Sequence, residues 1–233
     1  MPVNLQRYSL KMPPSPAPRR LPNLLFDFGG VLINIDYQRP IEAMRRLATS
    51  GSTIEYNQKN QSELFDLLET GRITPAEFRE GLRTGYQLTA TDEELDAAWN
   101  SILLDVPADR LALLAKLHAQ GHQMALLSNT NVIHIEEVNR RLKAAYGFEH
   151  GIADVLDRVF YSQEVGLRKP GPEIFEHVLR EMNWQAEETL FIEDSFQHIE
   201  TAQRLGLHTL FLAPPLTLTD ALPAAIRAFT PSA

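Results

Sequence analysis

The side chains best suited to chemistry in this chain stand where short apolar runs end. Asp27 follows the apolar run 24–26, and Gly29 and Gly30 come two and three residues later, as a tight turn requires. Ligands bind at the carboxyl ends of strands in open α/β sheets, so an acid in this place is a candidate nucleophile or metal ligand. The N–H groups of the two glycines could face a bound anion. Further candidates of this kind are Ser128, Asn129, Lys169, Glu193 and Asp194.

The acids among these candidates predict a divalent cation at one edge of a sheet. Mg²⁺ prefers a few carboxylate or carbonyl oxygens together with water and the phosphate of a substrate. Asp27, the backbone carbonyl of Gly29 and Asp194 could supply such oxygens. Glu193 is expected either as a further ligand or as a hydrogen-bonded partner of the ligands. The sequence therefore predicts Mg²⁺ as the cofactor.

The remaining candidates match the needs of a phosphoryl group. The cation and Lys169 would neutralise the charge that keeps an anionic nucleophile away from a phosphate. Ser128 and the backbone at Asn129 would hold the equatorial phosphate oxygens, and the turn at Gly29 and Gly30 would approach the same group. A carboxylate nucleophile, an acidic pair, a hydroxyl and a lysine together predict a small phosphorylated metabolite as the binding partner.

These candidates need a parallel sheet to bring their strand ends to one edge, and the later part of the chain predicts one. From residue 107 onward, apolar runs of strand length alternate with helical patterns. Such alternation implies crossover connections and helices on both faces of the sheet, which is the three-layer α/β/α core of a Rossmann-like fold. The predicted later strands are 122–127, 158–161, 189–192 and 207–212, and predicted helices include 107–120, 172–182 and 196–205.

A second unit interrupts this pattern between residues 38 and 106. Helical periodicity dominates there, and the segments 74–77 and 91–94 both have the spacing of a capping box. We therefore predict an all-helical insert within the α/β core. The predicted divisions are a flexible, basic, Pro-rich tail at 1–20, the core at 21–37 and 107–215, the helical insert at 38–106, and a C-terminal extension at 216–233.

Composition argues against several classes of function. The formal net charge of −8 argues against nucleic-acid binding. No stretch approaches the about 18 uncharged apolar residues that a membrane span needs. The chain has no cysteine, which excludes disulfides and thiolate chemistry and fits a reducing cytoplasm. We expect a cytoplasmic monomer or homodimer.

Four motifs occur in order along the chain: FDFGGVLINID, LLSNTN, SQEVGLRKPGPEIFEHVL and FIEDSFQHIETAQRLGL. In their residues and their order they resemble the haloacid dehalogenase-like superfamily, over about residues 22–215. Within it the chain is most similar to small bacterial sugar-phosphate phosphatases, including α-glucose-1-phosphate phosphatase. It is also similar to the phosphatase domain attached to some epoxide hydrolases.

The resemblance implies roles for individual residues. Asp27 matches the nucleophile and metal ligand, Ser128 the serine or threonine of the second motif, Lys169 the lysine of the third, and Glu193 and Asp194 the acidic pair. The implied reaction is Mg²⁺-dependent hydrolysis of a phosphomonoester through an aspartyl phosphate. Residues 38–106 would then form a cap that closes over the site and selects the substrate.

Two positions depart from the pattern of that superfamily. Most of its phosphatases carry a second Asp two residues after the nucleophile as general acid and base, and this chain has Gly29. The loss removes a contribution of about 10²- to 10⁴-fold in rate, although the sugar-phosphatase branch also has glycine there. Asp36 and Glu164 are candidate substitutes for the missing acid. His198 stands where Asn or Asp is usual and is not assigned to the metal.

Two other functions could use the same residues. A 2-haloacid dehalogenase would direct the Asp27 carboxylate at carbon, and a catalytically weak binding or regulatory protein would fit the missing acid at Gly29. Dehalogenation needs no metal, so the presence of both Glu193 and Asp194 favours the phosphatase. The natural substrate depends on cap residues, and the motifs leave it open.

Overall fold

The computed structural model describes residues 21–48 and 63–229, and within them five parallel strands form one sheet in the order β3-β2-β1-β4-β5. The strands are β1 Asn23–Phe26, β2 Met124–Ser128, β3 Arg158–Tyr161, β4 Thr189–Glu193 and β5 His208–Phe211. The first strand therefore lies in the middle, between two strands that come much later in the chain. The predicted fold class, an α/β core with a parallel sheet and a helical insert, is confirmed.

Helices cover both faces of the sheet. They are α5 Ala108–Ala119, α6 Val132–Tyr146, α7 Ser162–Val165, α8 Pro172–Met182, α9 Phe196–Arg204 and α10 Leu218–Ala228. In β1, Leu24 and Phe26 join one apolar cluster with α5, α6 and α10, whereas Leu25 joins a second cluster with α8 and α9. Successive strand residues point to opposite faces, so a strand covered on both sides is apolar throughout.

The register of the sheet brings three strand ends to the same level. Phe26, the last residue of β1, pairs with Leu126 of β2 and with Ile192 of β4. The residues that follow these positions therefore share one edge of the sheet. The polar groups predicted to act together accordingly start from neighbouring backbone positions.

The insert consists of helices in the part that the structure describes. They are α1 Gln38–Leu47, α2 Glu63–Glu69, α3 Pro75–Tyr86 and α4 Asp92–Asn100. Both predicted capping boxes are formed, because the side chains of Thr74 and Thr91 each accept a hydrogen bond from the backbone N–H three residues later. The predicted tail at 1–20 and residues 49–62 of the predicted insert lie outside the described ranges.

An aromatic cluster holds the insert helices together and joins them to the core. The ring centroid of Phe65 on α2 lies 5.5 Å from that of Phe78 on α3 and 5.0 Å from that of Trp99 on α4. Trp99 also stacks on His134 of α6, with centroids 4.6 Å apart. The insert thus has its own aromatic centre and one stacked contact with the first helix after β2.

The last helix, α10, packs on the same face of the sheet as α5 and α6. Leu218 and Leu222 of α10 are buried in the same cluster as α5. This helix lies in the segment 216–233, for which the sequence predicts only a C-terminal extension. Across residues 21–48 and 63–229, no helix combines the length and the apolar composition needed to cross a membrane.

Candidate active site

The sheet itself holds Asp27 at the centre of its carboxyl edge. The backbone N–H of Asp27 donates to the carbonyl oxygen of Ile192 at 2.9 Å, which extends the ladder between β1 and β4 by one residue. The residue is only 7 % exposed. The position of this carboxylate is therefore fixed by regular strand pairing and does not depend on a loop.

In the turn after Asp27, the backbone N–H of one of the two glycines forms a hydrogen bond within the turn. The N–H of Gly30 donates to the carbonyl of Ile33 at 2.8 Å, so it closes the turn and does not face an anion. This corrects the prediction for Gly30, whereas Gly29 lines the cavity described below. Gly30 has a φ of 77°, and a Cβ there would overlap the carboxylate of Asp194. The glycine is needed for this close approach.

Lys169 is buried between two carboxylates. Its Nζ donates to Asp27 Oδ1 at 2.6 Å and to Glu193 Oε2 at 2.7 Å, and the residue is 1 % exposed. Burial alone would lower the pKa of a lysine, but the two carboxylates outweigh it and raise the pKa of Lys169. The lysine therefore stays charged and orients the carboxylate of Asp27.

Asn129 holds the loop that carries Lys169. Its Oδ1 accepts from the backbone N–H of Lys169 at 2.9 Å, and its Nδ2 donates to the Lys169 carbonyl at 2.8 Å. Ser128, the last residue of β2, is buried and lines the cavity beside Asn129. The Asn129 side chain thus positions Lys169. The phosphate contact predicted for this residue involves the backbone of Asn129, which these hydrogen bonds do not use.

The carboxylates of Asp27, Glu193 and Asp194 form a cluster with one oxygen from each within 4.8 Å of the others. Glu193 is satisfied by the protein, since Oε1 accepts from the backbone N–H groups of Asp194 and Ser195, each at 3.0 Å. Its Oε2 also accepts from Lys169 and lies 2.9 Å from Nδ1 of His198. By contrast, Oδ1 of Asp194 is buried without a hydrogen-bond partner in the described chain.

The pKa values of these acids show how the cluster is balanced. Burial and the Glu193 carboxylate raise the pKa of Asp27 to about 7, although Lys169 lowers it. Burial, Asp27 and Glu193 together raise the pKa of Asp194 to about 8. Glu193 shows the opposite shift: burial would raise its pKa, but Lys169 and His198 lower it to about 2. Two of the three acids therefore lack enough positive charge from the protein, and a divalent cation beside Asp27 and Asp194 would supply it.

A cavity of about 90 Å³ opens beside this cluster. Its wall combines the predicted site residues with side chains from the insert and from α6. It is lined by Asp27, Phe28, Gly29, Ile33, Ile35, Tyr37, Glu69, Ile102, Leu103, Ser128, Asn129, Thr130, His134, Arg168, Lys169 and His198. The cluster of acids thus stands at a concave site where a small ligand can reach it.

The family of the chain follows from a comparison of its whole length with known families. A model of haloacid dehalogenase-like hydrolases matches residues 22–206, which is most of the chain. The chain belongs to this family. The resemblance that the four motifs indicated is therefore confirmed.

Several phosphatases are similar to this hydrolase. D-ribitol-5-phosphate phosphatase of Bacteroides thetaiotaomicron is 29 % identical over 187 residues, covering 80 % of this chain and 89 % of its own. A sesquiterpene phosphatase of Aspergillus oryzae is 27 % identical, covering 82 % and 90 %. The crystal structure of a family enzyme from Bacteroides thetaiotaomicron in complex with magnesium and inorganic phosphate is 38 % identical, with a TM-score of 0.73, covering 84 % and 96 %. The two named phosphatases differ widely in the molecules they are named for.

Neither acid predicted as a substitute proton donor lines the cavity of the hydrolase. Asp36 Oδ1 accepts from the backbone N–H of Gln38 at 2.9 Å, and its side chain is 41 % exposed beside Arg39. Glu164 is exposed on α7. The structure does not bring them to the cavity beside Asp27, because the Asp36 carboxylate accepts from the first N–H of α1 and Glu164 is exposed.

Other residues of the hydrolase reach the cavity without having been predicted. Those with an ionisable side chain are Tyr37, Glu69, His134, Arg168 and His198. Two of them had a signal in the sequence, since Arg168 precedes the motif lysine and His198 replaces the usual Asn or Asp of the fourth motif. The other three belong to the insert boundary or to helix faces, whose orientation depends on tertiary packing.

Proposed function

We propose that this hydrolase is a Mg²⁺-dependent phosphatase that acts on a small phosphorylated metabolite, such as a sugar phosphate. The observation that carries the proposal is the acid cluster, in which Lys169 binds Asp27 and Glu193 while Asp194 Oδ1 is buried without a hydrogen-bond partner among the described residues. A buried carboxylate oxygen with no donor is costly unless a cation receives it. The phosphatase relatives, and the similar structure with magnesium and phosphate, support the same conclusion.

The protein groups that would hold Mg²⁺ are Asp27, the backbone carbonyl of Gly29, and Asp194. The hydrogen bonds within the turn are accepted by the carbonyl groups of Phe28 and Ile33 and not by that of Gly29. Gly29 also lines the cavity. Glu193 is already satisfied by Lys169 and by backbone N–H groups, so we assign it to the support of the ligands. When bound, the cation neutralises negative charge on the nucleophile and on the phosphate.

Asp27 would act as the nucleophile. One of its carboxylate oxygens forms a bond to phosphorus while the bond between phosphorus and the alcohol oxygen of the substrate breaks. A water molecule then attacks the phosphorus of this aspartyl phosphate, which releases inorganic phosphate and restores the carboxylate. Lys169, held by Asp27, Glu193 and the clamp from Asn129, keeps the carboxylate oriented through both steps. Ser128 and the Asn129 backbone would bind phosphate oxygens.

The absence of an acid at Gly29 affects the first of these steps. An alkoxide is a poor leaving group without a proton donor, whereas the second step expels a stable carboxylate. Phosphates with less basic leaving groups, such as aryl phosphates or anomeric sugar phosphates, should therefore react disproportionately fast.

We assign residues 38–106 to a cap that selects the substrate. The support is that Glu69 of α2 lines the same cavity as the nucleophile. We also propose that the enzyme works in the cytoplasm as a monomer or homodimer and binds neither nucleic acid nor membrane, in keeping with its composition and net charge of −8. Size-exclusion chromatography with light scattering would decide between monomer and dimer.

The proposed function is tested by hydrolysis of p-nitrophenyl phosphate by the full chain, with Mg²⁺ and with EDTA in its place. We expect turnover with Mg²⁺ and little without it. Chloride release from 2-chloropropionate serves as the parallel assay for a dehalogenase. Turnover that persists in EDTA, or release of chloride without release of phosphate, would contradict the proposal.

A further inference from the structure

The imidazole of His134 lies in the wall of the active-site cavity and has no part in the reaction described above. His134 is the third residue of α6, and its backbone N–H donates to Oδ1 of Asn131 at 3.1 Å. This cap fixes the first turn of the helix shortly after the strand end that carries Ser128. The residue is 7 % exposed and lines the same cavity as Asp27. A regular element of the core therefore holds this side chain at the site.

One ring nitrogen of His134 is bonded to the insert. The imidazole stacks on Trp99 of α4, with ring centroids 4.6 Å apart and an angle of 28° between the planes. It also donates a hydrogen bond to the backbone of Trp99, a contact that favours a higher pKa of the imidazole. Because Nε2 is buried without a hydrogen-bond partner within the described residues, Nδ1 is the donor. The proton of the ring is therefore held on Nδ1.

The other ring nitrogen, Nε2, is an acceptor. Burial and the nearby guanidinium of Arg141 outweigh the Trp99 contact and lower the pKa of His134 to about 3, so the imidazole is neutral at pH 7. In a neutral imidazole that carries its proton on Nδ1, Nε2 can only accept a hydrogen bond. A buried acceptor without a donor is costly, and most such atoms in folded proteins are paired. The donor for Nε2 therefore has to come from outside the described chain.

We propose that His134 is a specificity-determining residue whose Nε2 accepts a hydrogen bond from an O–H or N–H group on the alcohol part of the substrate, an inference that rests on the phosphatase function proposed above. The phosphoryl group is not the partner of Nε2, because a phosphate monoester has a second pKa of about 6 and is mostly without a proton at pH 7. Its oxygens are acceptors, which suit the donors at Ser128 and the Asn129 backbone instead. The donor for Nε2 is therefore expected on the alcohol.

This contact would distinguish one phosphate ester from another. An ester whose alcohol carries a donor within reach pairs Nε2, whereas an ester without one leaves the acceptor buried and unpaired. A site built to form a hydrogen bond with a substrate group discriminates strongly against analogues that lack the group. A histidine that only supports Trp99 of the insert would make no such distinction, so substrate preference separates the two roles.

The two ring nitrogens can be tested separately by substitution. In His134→Asn, the side-chain amide can replace Nδ1 as the donor to Trp99, but no atom replaces Nε2. In His134→Gln, the longer side chain can bring its amide oxygen near the position of Nε2, and the ring that stacks on Trp99 is lost in both variants. His122 offers a matched control, because it is also buried and its Nδ1 lies 2.9 Å from the backbone carbonyl oxygen of Pro22. It does not line the cavity beside Asp27.

The experiment compares the wild type, His134→Asn, His134→Gln and His122→Asn on sn-glycerol 3-phosphate and n-propyl phosphate with Mg²⁺. The two esters have the same carbon chain, and only the first has hydroxyl groups on its alcohol part. We expect the wild type to favour glycerol 3-phosphate, and His134→Asn to lower the ratio of the two kcat/KM values about tenfold. His134→Gln and His122→Asn should keep the ratio within about twofold of the wild type. Because the same leaving groups are compared in every preparation, the difference in their basicity cancels.

Hydrolysis of p-nitrophenyl phosphate with Mg²⁺ distinguishes a failure of this inference from a failure of the proposed function. If no preparation hydrolyses it, both fail. If the wild type hydrolyses it, the inference alone is overturned when the wild type does not favour glycerol 3-phosphate or when His134→Asn keeps the wild-type ratio. It is also overturned when His134→Gln or His122→Asn lowers the ratio as much as His134→Asn does. Melting temperatures show which variants are folded, and either variant of His134 decides the question if the other does not fold.

Discussion

At the carboxyl edge of the sheet the charged groups are buried and bonded to one another, whereas at the boundary with the insert Arg168 and Asp66 are partly exposed and only Glu69 of their ion-pair group is buried. Lys169 joins Asp27 and Glu193 with all three buried. Arg168 and Asp66, which join the core to the insert, have side chains that are 24 % and 46 % exposed. Breaking a buried pair leaves an uncompensated charge and costs about 3 to 5 kcal/mol, while an exposed pair is worth about 1 kcal/mol or less.

The difference suggests which part of the molecule can change during evolution. The edge of the sheet holds groups that depend on one another, so a substitution there affects both the fold and the chemistry. The insert has its own aromatic centre of Phe65, Phe78 and Trp99, and Arg168 of the core forms ion pairs with two carboxylates of α2. Residues that recognise the substrate can therefore vary while the catalytic edge stays the same. The predictions below test this separation.

The largest effect is expected at the nucleophile. Asp27→Asn should abolish hydrolysis of every phosphate ester, with a loss of at least about 10⁴-fold in kcat, because the amide cannot form the phosphoenzyme. The measurements are p-nitrophenyl phosphate hydrolysis and the binding of beryllofluoride, a mimic of the phosphoryl group on Asp27. Asp66→Asn is the control, since it removes a carboxylate of the insert boundary. Residual turnover of Asp27→Asn at a few per cent would place the nucleophile elsewhere.

Asp194 should show the next largest effect, because its Oδ1, which has no hydrogen-bond partner within residues 21–48 and 63–229, is assigned to the cation. Asp194→Asn should lower kcat by roughly 10²- to 10³-fold, in the range seen for lost electrostatic stabilisation of a transition state. It should also remove the rise in melting temperature that Mg²⁺ gives the wild type, since a ligand stabilises only a folded state that binds it. Thermal unfolding with and without Mg²⁺ checks this independently of activity. Equal stabilisation of both proteins would contradict the assignment.

In the absence of metal, the stability of the wild type relative to Asp194→Asn should depend on pH. The pKa of Asp194 is raised from 3.8 to about 8 in the folded protein, so the folded state holds this proton more tightly than the unfolded chain. The resulting stability is fully present below about pH 4 and is lost as the pH rises through about 8. In EDTA, the melting temperature of the wild type relative to Asp194→Asn should therefore fall between pH 5 and pH 8. A constant difference would mean that Asp194 is not crowded by the other acids.

The sequence could predict the catalytic edge because its signals are local. An apolar run that ends in Asp27 indicates a strand and its end, and the pairing of parallel strands then determines which ends meet. The capping boxes at Thr74 and Thr91 are likewise defined within four residues and are present in the structure. The contact between Lys169 and Asp27 spans 142 residues, yet the motif that carries the lysine identified it.

The wall of the cavity could not be predicted in the same way. Glu69 and His134 lie on helices whose rotation is set by tertiary packing, here by Trp99 stacked on His134. Local signals assign such residues to helices but do not say which of them face a ligand. The carboxyl group of Asp36 makes it a candidate proton donor, and no local signal marks its neighbour Tyr37 as a site residue. In the structure Asp36 interacts with the start of α1, and Tyr37 lines the cavity.

A smaller effect on rate is expected when an acid is introduced at position 29, where most phosphatases of the family carry one. Gly29→Asp should raise the rate on alkyl phosphates by about tenfold while changing aryl phosphates little, because only the basic alkoxide needs a proton. A Cβ at this position would lie 3.0 Å from Cδ1 of Ile35, a side-chain end that must move slightly. Gly29→Ala is the control for this crowding. If the two variants have the same dependence of rate on leaving-group pKa, another group already donates the proton.

The smallest effect is expected within the insert, far from the reacting groups. The Thr91 side chain accepts from the N–H of Glu94 at 3.2 Å, and Glu94 Oε2 accepts from the N–H of Thr91 at 2.8 Å. Thr91→Ala should lower the free energy of unfolding by about 1 kcal/mol, or the melting temperature by about 2 to 4 °C. Thr91→Ser, which keeps the cap, should change it less. Because α4 supports the insert and not the nucleophile, kcat for p-nitrophenyl phosphate should stay within about twofold of the wild type in both variants. A loss of kcat in Thr91→Ala that Thr91→Ser does not share would show that order in the insert is required for the chemistry itself, and the separation between the two regions would not hold.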